Sequence, residues 1–193
     1  FKTEFEADVC IIRYCVKEFG LPANLKLSVH SGSDKFSIYP GIYHALKKFD
    51  AGLHIKTAGT TWLEEIIGLV KSGESGLEIA KEVYCQSLER IDELCGPYAA
   101  VININVARLP DPKEVAGWRS ETFSDALTHD QSCPGYNRHL RQLLHVGYKV
   151  AAEMGSKFTD ALKQYENTIA PLVTNNLYQR RIMPVFLGNT LNK

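Results

Sequence analysis

Two short stretches carry side chains able to do chemistry. "LKLSVHSGSDKFSIYP", residues 25–40, runs from alternating apolar positions into His30, Ser31, Ser33, Asp34 and Lys35. "AGLHIKTAGTTW", from Ala51, brings His54, Lys56, Thr57, Thr60 and Thr61. Neutral imidazoles suit zinc, nickel, cobalt, manganese or iron, so His30 and His54 are the candidate ligands of a divalent metal ion. A catalytic metal needs at least one more ligand, usually a carboxylate, and an open position for substrate. Asp34 is the nearest carboxylate, and one from sequence upstream serves equally. Lys35 and Lys56 are cations able to bind a carboxylate or stabilise an enolate, and Ser31, Ser33, Thr57, Thr60 and Thr61 supply hydroxyl donors beside small glycines.

Each feature also has a purely structural explanation. A histidine late in a strand is often a hydrogen-bonded structural residue, "SGSDK" can be a turn that caps the next helix, and Thr61 with Glu64 has capping-box spacing. His145, in "RQLLHVGYK", lies on a helix, where a core or surface role is ordinary, and Arg180–Arg181 reads as a solvated helix end.

The elements that must position these residues follow from periodicity. Residues 5–19 carry apolar side chains at helical spacing and stop at Gly20 and Pro22. In "NLKLSVH", Leu25, Leu27 and Val29 share one face while Lys26, Ser28 and His30 share the other. "YPGIYHALKKF" reads as a short helix ending near Asp50. "GLHIKT" repeats the strand pattern, with Leu53 and Ile55 opposed to His54 and Lys56. Helices open at Thr61/Glu64 and at Ser75/Glu78, the second reaching about Leu94. "YAAVININVARLP" reads as a strand or extended connector, Asp111-Pro112-Lys113-Glu114 as the N-cap and first turn of a short helix, and "SCPGYN" as a turn. From Arg138 to Arg181 the chain is mostly helical, broken near Gly155 and Pro171.

Helix, strand, helix, strand, helix is the order of parallel strands joined by crossovers. His30 and His54 are 24 residues apart, about one βα unit. In a (β/α)8 barrel one strand face meets the outer helices and the other points inward, with functional residues at the C-terminal strand ends. The expectation is an α/β chain: βα units of a TIM-like barrel over residues 1–96, then a helical C-terminal extension over 97–193 that packs on the same domain.

The 193 residues hold 22 basic and 22 acidic side chains, 45% hydrophobic residues and no long run of either charge. That balance disfavours nucleic-acid or membrane-surface binding by bulk electrostatics. No apolar run is long enough for a bilayer, and the start lacks a signal-peptide layout. Five cysteines, odd in number and without a C-x-x-C pair, read as buried thiols of a reducing cytoplasm. The chain opens on Phe1 and turns helical at once, the pattern of a piece of a longer protein.

"LSVHSGSDKFSIYP", "GLHIKTAGTTWLEE", "RQLLHVGYKVAAEMG" and "NNLYQRRIMPVFLG" together resemble the C-terminal portion of bacterial tagaturonate epimerases. The resemblance implies a metal-dependent sugar-acid epimerase of hexuronate catabolism interconverting D-tagaturonate and D-fructuronate. Carried over by position, it makes His30 and His54 the metal-ligand candidates, and Asp34, Lys35 and Lys56 the catalytic candidates, for proton transfer or for binding the substrate. Ser31, Ser33, Thr57, Thr60 and His145 then bind substrate. "NNLYQRRI" departs from the pattern, which has an acidic residue and a histidine near Gln179 and Arg181. The carbon to be inverted lies one beyond the ketone's neighbour, so its proton is not acidic. A retro-aldol cleavage and re-addition, with a metal-stabilised enediolate, inverts it; a nicotinamide redox route finds no G-x-G-x-x-G here. The expected partners are the ketouronate, the missing N-terminal part and, as an alternative cover for open sheet edges, a second copy. Another metal-dependent ketose or uronate isomerase or aldolase, or a non-catalytic sugar-acid-binding piece, fits the same residues.

Overall fold

The computed structural model describes residues 1–30 and 35–188, and only the backbone at Ala58 and Thr60. The first helix, α1 (Lys2–Phe19), turns Phe5 and Val9 into a core and ends at Gly20, whose φ of 64° is the left-handed cap that a residue without Cβ adopts freely. Strand β1 (Leu27–His30) follows, then a 3-10 turn, Phe36–Ile38, leading into α2 (Tyr39–Phe49). Asp50 closes α2 at φ 45°, and β2 (Leu53–Lys56) begins three residues later.

The two strands pair in parallel, with Leu27 opposite Leu53, Ser28 opposite His54, Val29 opposite Ile55 and His30 opposite Lys56. The α2 crossover between them is what a parallel pair requires. Leu27, Val29, Leu53 and Ile55 form the apolar face. They pack with Phe5, Val9, Tyr39, Ile42, Leu46 and Val185 into one core.

After β2 the described chain is helical or irregular. Helices α3 (Ala58–Lys71), α4 (Glu74–Glu89) and α5 (Ile91–Cys95) lead, through 3-10 turns at Gly96–Tyr98 and Val106–Arg108, to α6 (Pro112–Ala116) and α7 (Ser120–Leu127). Then come α8 (Arg138–Val146), α9 (Tyr148–Glu153), α10 (Ser156–Gln164) and α11 (Glu166–Thr174), and a π-helical stretch, Asn175–Leu187. The fold is thus mostly helical with a small parallel sheet. Two compact units form: Phe1–Thr60 with Thr174–Lys193, and Thr61–Val173. The second has its own core around Ile66, Leu69, Val83, Tyr84, Leu127 and Leu143, and the Trp62 indole N–H donates to the Leu144 carbonyl at 2.7 Å. Among the described residues no helix is long and apolar enough to cross a membrane.

Asp111 accepts from the Lys113 amide at 2.7 Å and caps α6, as its spacing predicts. Other local signals mislead. Helix α3 starts at Ala58, so Thr61 lies inside it and Glu64 bonds to His129 instead of capping. Gly73, not Ser75, occupies the N-cap of α4, and Glu78 pairs with Lys81 at 2.8 Å. "YAAVININV" forms no strand: the Val101 and Ile102 amides turn back to the Tyr98 carbonyl, and those of Asn103 and Asn105 go to Gln142 and His139. With those donors taken, no ladder is needed to satisfy this backbone. Gly155, at φ 59°, does separate two helices, whereas Pro171 lies within α11. All five cysteines are free, Cys10 exposed and the other four half-buried, a correction to their expected full burial.

Candidate active site

Alternation along β1 and β2 puts Ser28, His30, His54 and Lys56 on the exposed face of the sheet, opposite the core. His30 and Lys56 are direct ladder partners, about 4.8 Å apart across the strands. His30 and His54 are diagonal, one strand over and two residues along, so their Cα atoms are about 8 Å apart from standard strand spacing and rise. Two imidazoles so placed can meet at one cation. Among the described residues no group of three His, Cys, Asp or Glu side chains is arranged to hold a metal. Among the described residues the sheet face thus offers a divalent ion two imidazoles at most and no third ligand.

Lys35 stands before the 3-10 turn and its ammonium reaches back to the His30 carbonyl at 3.4 Å. It thus stays beside the C-terminal end of β1. Thr57, half-buried, follows Lys56 directly, and Thr60 lies in the first turn of α3. Ser31, Ser33 and Asp34 fall outside the described residues. His145 lies half-buried in the last turn of α8, within the second compact unit. The sheet face thus gathers His30, His54, Lys56 and, through its contact with His30, Lys35.

Two clusters escape sequence reasoning. Arg181 is not a solvated helix end but fully buried: its Nε donates to Asn176 Oδ1 at 2.9 Å and its Nη1 to the Tyr39 hydroxyl at 2.8 Å. Both Arg180 and Arg181 lie over the ring of Phe36, at 4.2 and 5.2 Å. Asn176 and Arg181 are five residues apart, a π-helical spacing that a search for 3.6-residue periodicity passes over. In the other unit, His129 is buried between Glu64 of α3 and Arg141 of α8. Arg141 also donates to the carbonyls of Leu127 and Thr128, closing the C-terminal end of α7. On α3 the neighbouring Glu65 carboxyl is pushed up by burial.

A parallel pair of strands joined by a helical crossover, with basic and imidazole side chains on its exposed face, is a layout met in α/β enzymes. The family model for tagaturonate epimerase matches residues 2–180, and the chain belongs to that family. It is 34% identical over 128 residues to the tagaturonate/fructuronate epimerase of Thermotoga maritima, covering 64% of this chain and 22% of that protein. The native crystal structure of the fructuronate-tagaturonate epimerase of Cohnella laeviribosi superimposes with a TM-score of 0.65 at 23% identity, covering 95% of this chain. Its one-glycerol complex gives 0.65 at 24% identity over 93%. At that identity the likeness is one of fold. The chain spans 34% of the Cohnella chain's length.

Proposed function

We propose that this chain supplies part of the active site of a metal-dependent sugar-acid epimerase that interconverts D-tagaturonate and D-fructuronate. The observation that carries the reading is the shared sheet face of His30, His54 and Lys56 in a member of the tagaturonate epimerase family. The strands are read as neighbours in a (β/α)8 barrel, because parallel strands are normally flanked by others and covered on both faces. The further strands are assigned to the length by which the relatives exceed this chain.

In this reading His30 and His54 hold a divalent cation, with remaining ligands from Asp34 or from that additional length. When bound, the cation supplies Lewis-acid polarisation of the substrate's ketone. Lys35 and Lys56 place positive charge where negative charge develops on the ketone side as the carbon–carbon bond breaks. Removal of the hydroxyl proton at the carbon to be inverted starts the cleavage; the proposed acceptor is the Asp34 carboxylate, or one of Lys35 and Lys56 in its neutral form while the other stays cationic. An enediolate fragment and an aldehyde fragment result. The aldehyde turns over and re-addition restores the bond with the proton returned, so no redox partner enters. Ser31, Ser33, Thr57 and Thr60 are proposed to hold the fragments in register, since misplacement by about 1 Å is costly to such a step.

The test is epimerisation of tagaturonate by the full-length protein, before and after removal of metal with a chelator, beside neutral ketohexoses. Metal-dependent turnover confined to ketouronates supports the reading. Turnover of neutral ketohexoses alone points to another ketose isomerase or aldolase. No turnover of either, with metal bound, points to a binding module.

A further inference from the structure

We propose that Arg180 is the residue that recognises the substrate's carboxylate; this rests on the ketouronate reading above and adds a residue to it. Arg180 lies over Phe36 at 4.2 Å and is half-exposed. A guanidinium held by a ring face keeps its in-plane N–H fork directed outward, the geometry that takes a carboxylate with two hydrogen bonds. Among the described residues no carboxylate of the chain takes up that fork.

The surroundings point the same way. Phe36 follows Lys35, whose ammonium is tied to the His30 carbonyl, so the ring and the arginine on it sit beside the strand end that carries the proposed metal ligand. The same ring also contacts Tyr39 edge-on at 5.8 Å, and Tyr39 accepts from Arg181. Arg181, buried and fixed by Asn176 and Tyr39, anchors the π-helical backbone from which Arg180 projects. The guanidiniums of Arg180 and Arg181 thus lie over one phenyl ring, and a carboxylate bound at Arg180 adds a countercharge to that pair. A carboxylate at the far end of a ketouronate also belongs to the aldehyde fragment. Anchoring it there keeps the fragment bound while its reacting carbon turns over.

The experiment compares the full-length protein with its Arg180→Gln, Arg180→Lys and Phe36→Leu variants. Calorimetric affinities are measured for the ketouronate and for the ketohexose that has an alcohol in place of the carboxylate. A charge-assisted pair lost from such a site lowers affinity about 10- to 100-fold. Arg180→Gln is expected to lose that factor for the ketouronate alone, with Lys intermediate and Phe36→Leu a smaller selective loss. Unchanged ketouronate affinity in Arg180→Gln, or an equal loss for both ligands, overturns the assignment. Should Arg180→Gln not fold, Arg180→Lys and Phe36→Leu decide by the same selectivity. A parent that epimerises ketouronates beside an unaffected Arg180→Gln refutes this assignment alone. A parent that neither binds nor epimerises them refutes the functional reading, and this assignment with it.

Discussion

Arg141 presents its Nη2 to Nδ1 of His129 at 3.2 Å. A guanidinium only donates, so Nδ1 is the acceptor and the proton of the neutral ring sits on Nε2, from which it is donated to Glu64. Three helices, α3, α7 and α8, are tied through this one imidazole, because Arg141 also holds the carbonyls that end α7. Nitrogen-detected NMR checks the tautomer: Nδ1 of His129 is expected in the unprotonated range and Nε2 in the protonated one. The reverse pattern contradicts the arrangement.

Removing Arg141 tests what the cluster contributes. Arg141→Met takes the donor from His129 Nδ1 and from the carbonyls of Leu127 and Thr128 in a buried cluster, and is expected to cost about 3 kcal/mol of stability. Urea denaturation reads this directly. A loss under about 1 kcal/mol means that the cluster is not what joins the helices.

Acid stability is expected to depend on Glu93. Bidentate bonds from Arg90, at 2.8 Å each, followed by a bond from Lys149, hold its carboxyl down to about 2 from an ordinary value of 4.5. A carboxyl depressed in the folded state favours folding above its unfolded value and loses that contribution as pH falls through the folded one. The contribution is therefore complete above about pH 4.5 and fades between there and about pH 2. Arg90→Gln is expected to flatten the stability–pH curve across that window. An unchanged slope shows the exposed pair to be without effect, as surface pairs often are.

Gly76 is where the second unit allows no side chain. A Cβ there would lie 2.1 Å from the Leu69 carbonyl oxygen, a contact with backbone that no rotamer change relieves. Gly76→Ala is expected to lower stability by about 2 kcal/mol or more, despite alanine's better helix propensity. A thermal or urea midpoint equal to the parent's contradicts this close approach.

The strands were legible because burial follows their alternation: Leu27, Val29, Leu53 and Ile55 face the core, and His30, His54 and Lys56 do not. Gly20 and Asp111 announced a helix end and a helix start through local geometry alone. The Thr61–Glu64 signal failed because α3 starts immediately after Thr57, and the Glu64 carboxylate found a tertiary partner 65 residues away. No periodicity encodes a bond of that range. Arg181 was misread for a related reason: a π-helical stretch faces residues 176 and 181 to one another, and a tyrosine 142 residues earlier completes the site. Charge alone marked it as surface, and packing made it core.

The central claim is that the diagonal histidines of the parallel sheet hold a metal ion on which epimerisation depends. The most direct measurement is metal content by elemental analysis of the full-length protein and of its His30→Ala and His54→Ala variants, with tagaturonate epimerisation assayed on the same samples. The account predicts about one divalent ion per chain in the parent and its loss, together with activity, in each variant that remains folded. Variants that keep both metal and turnover contradict it, and leave the two histidines as structural or substrate-facing side chains.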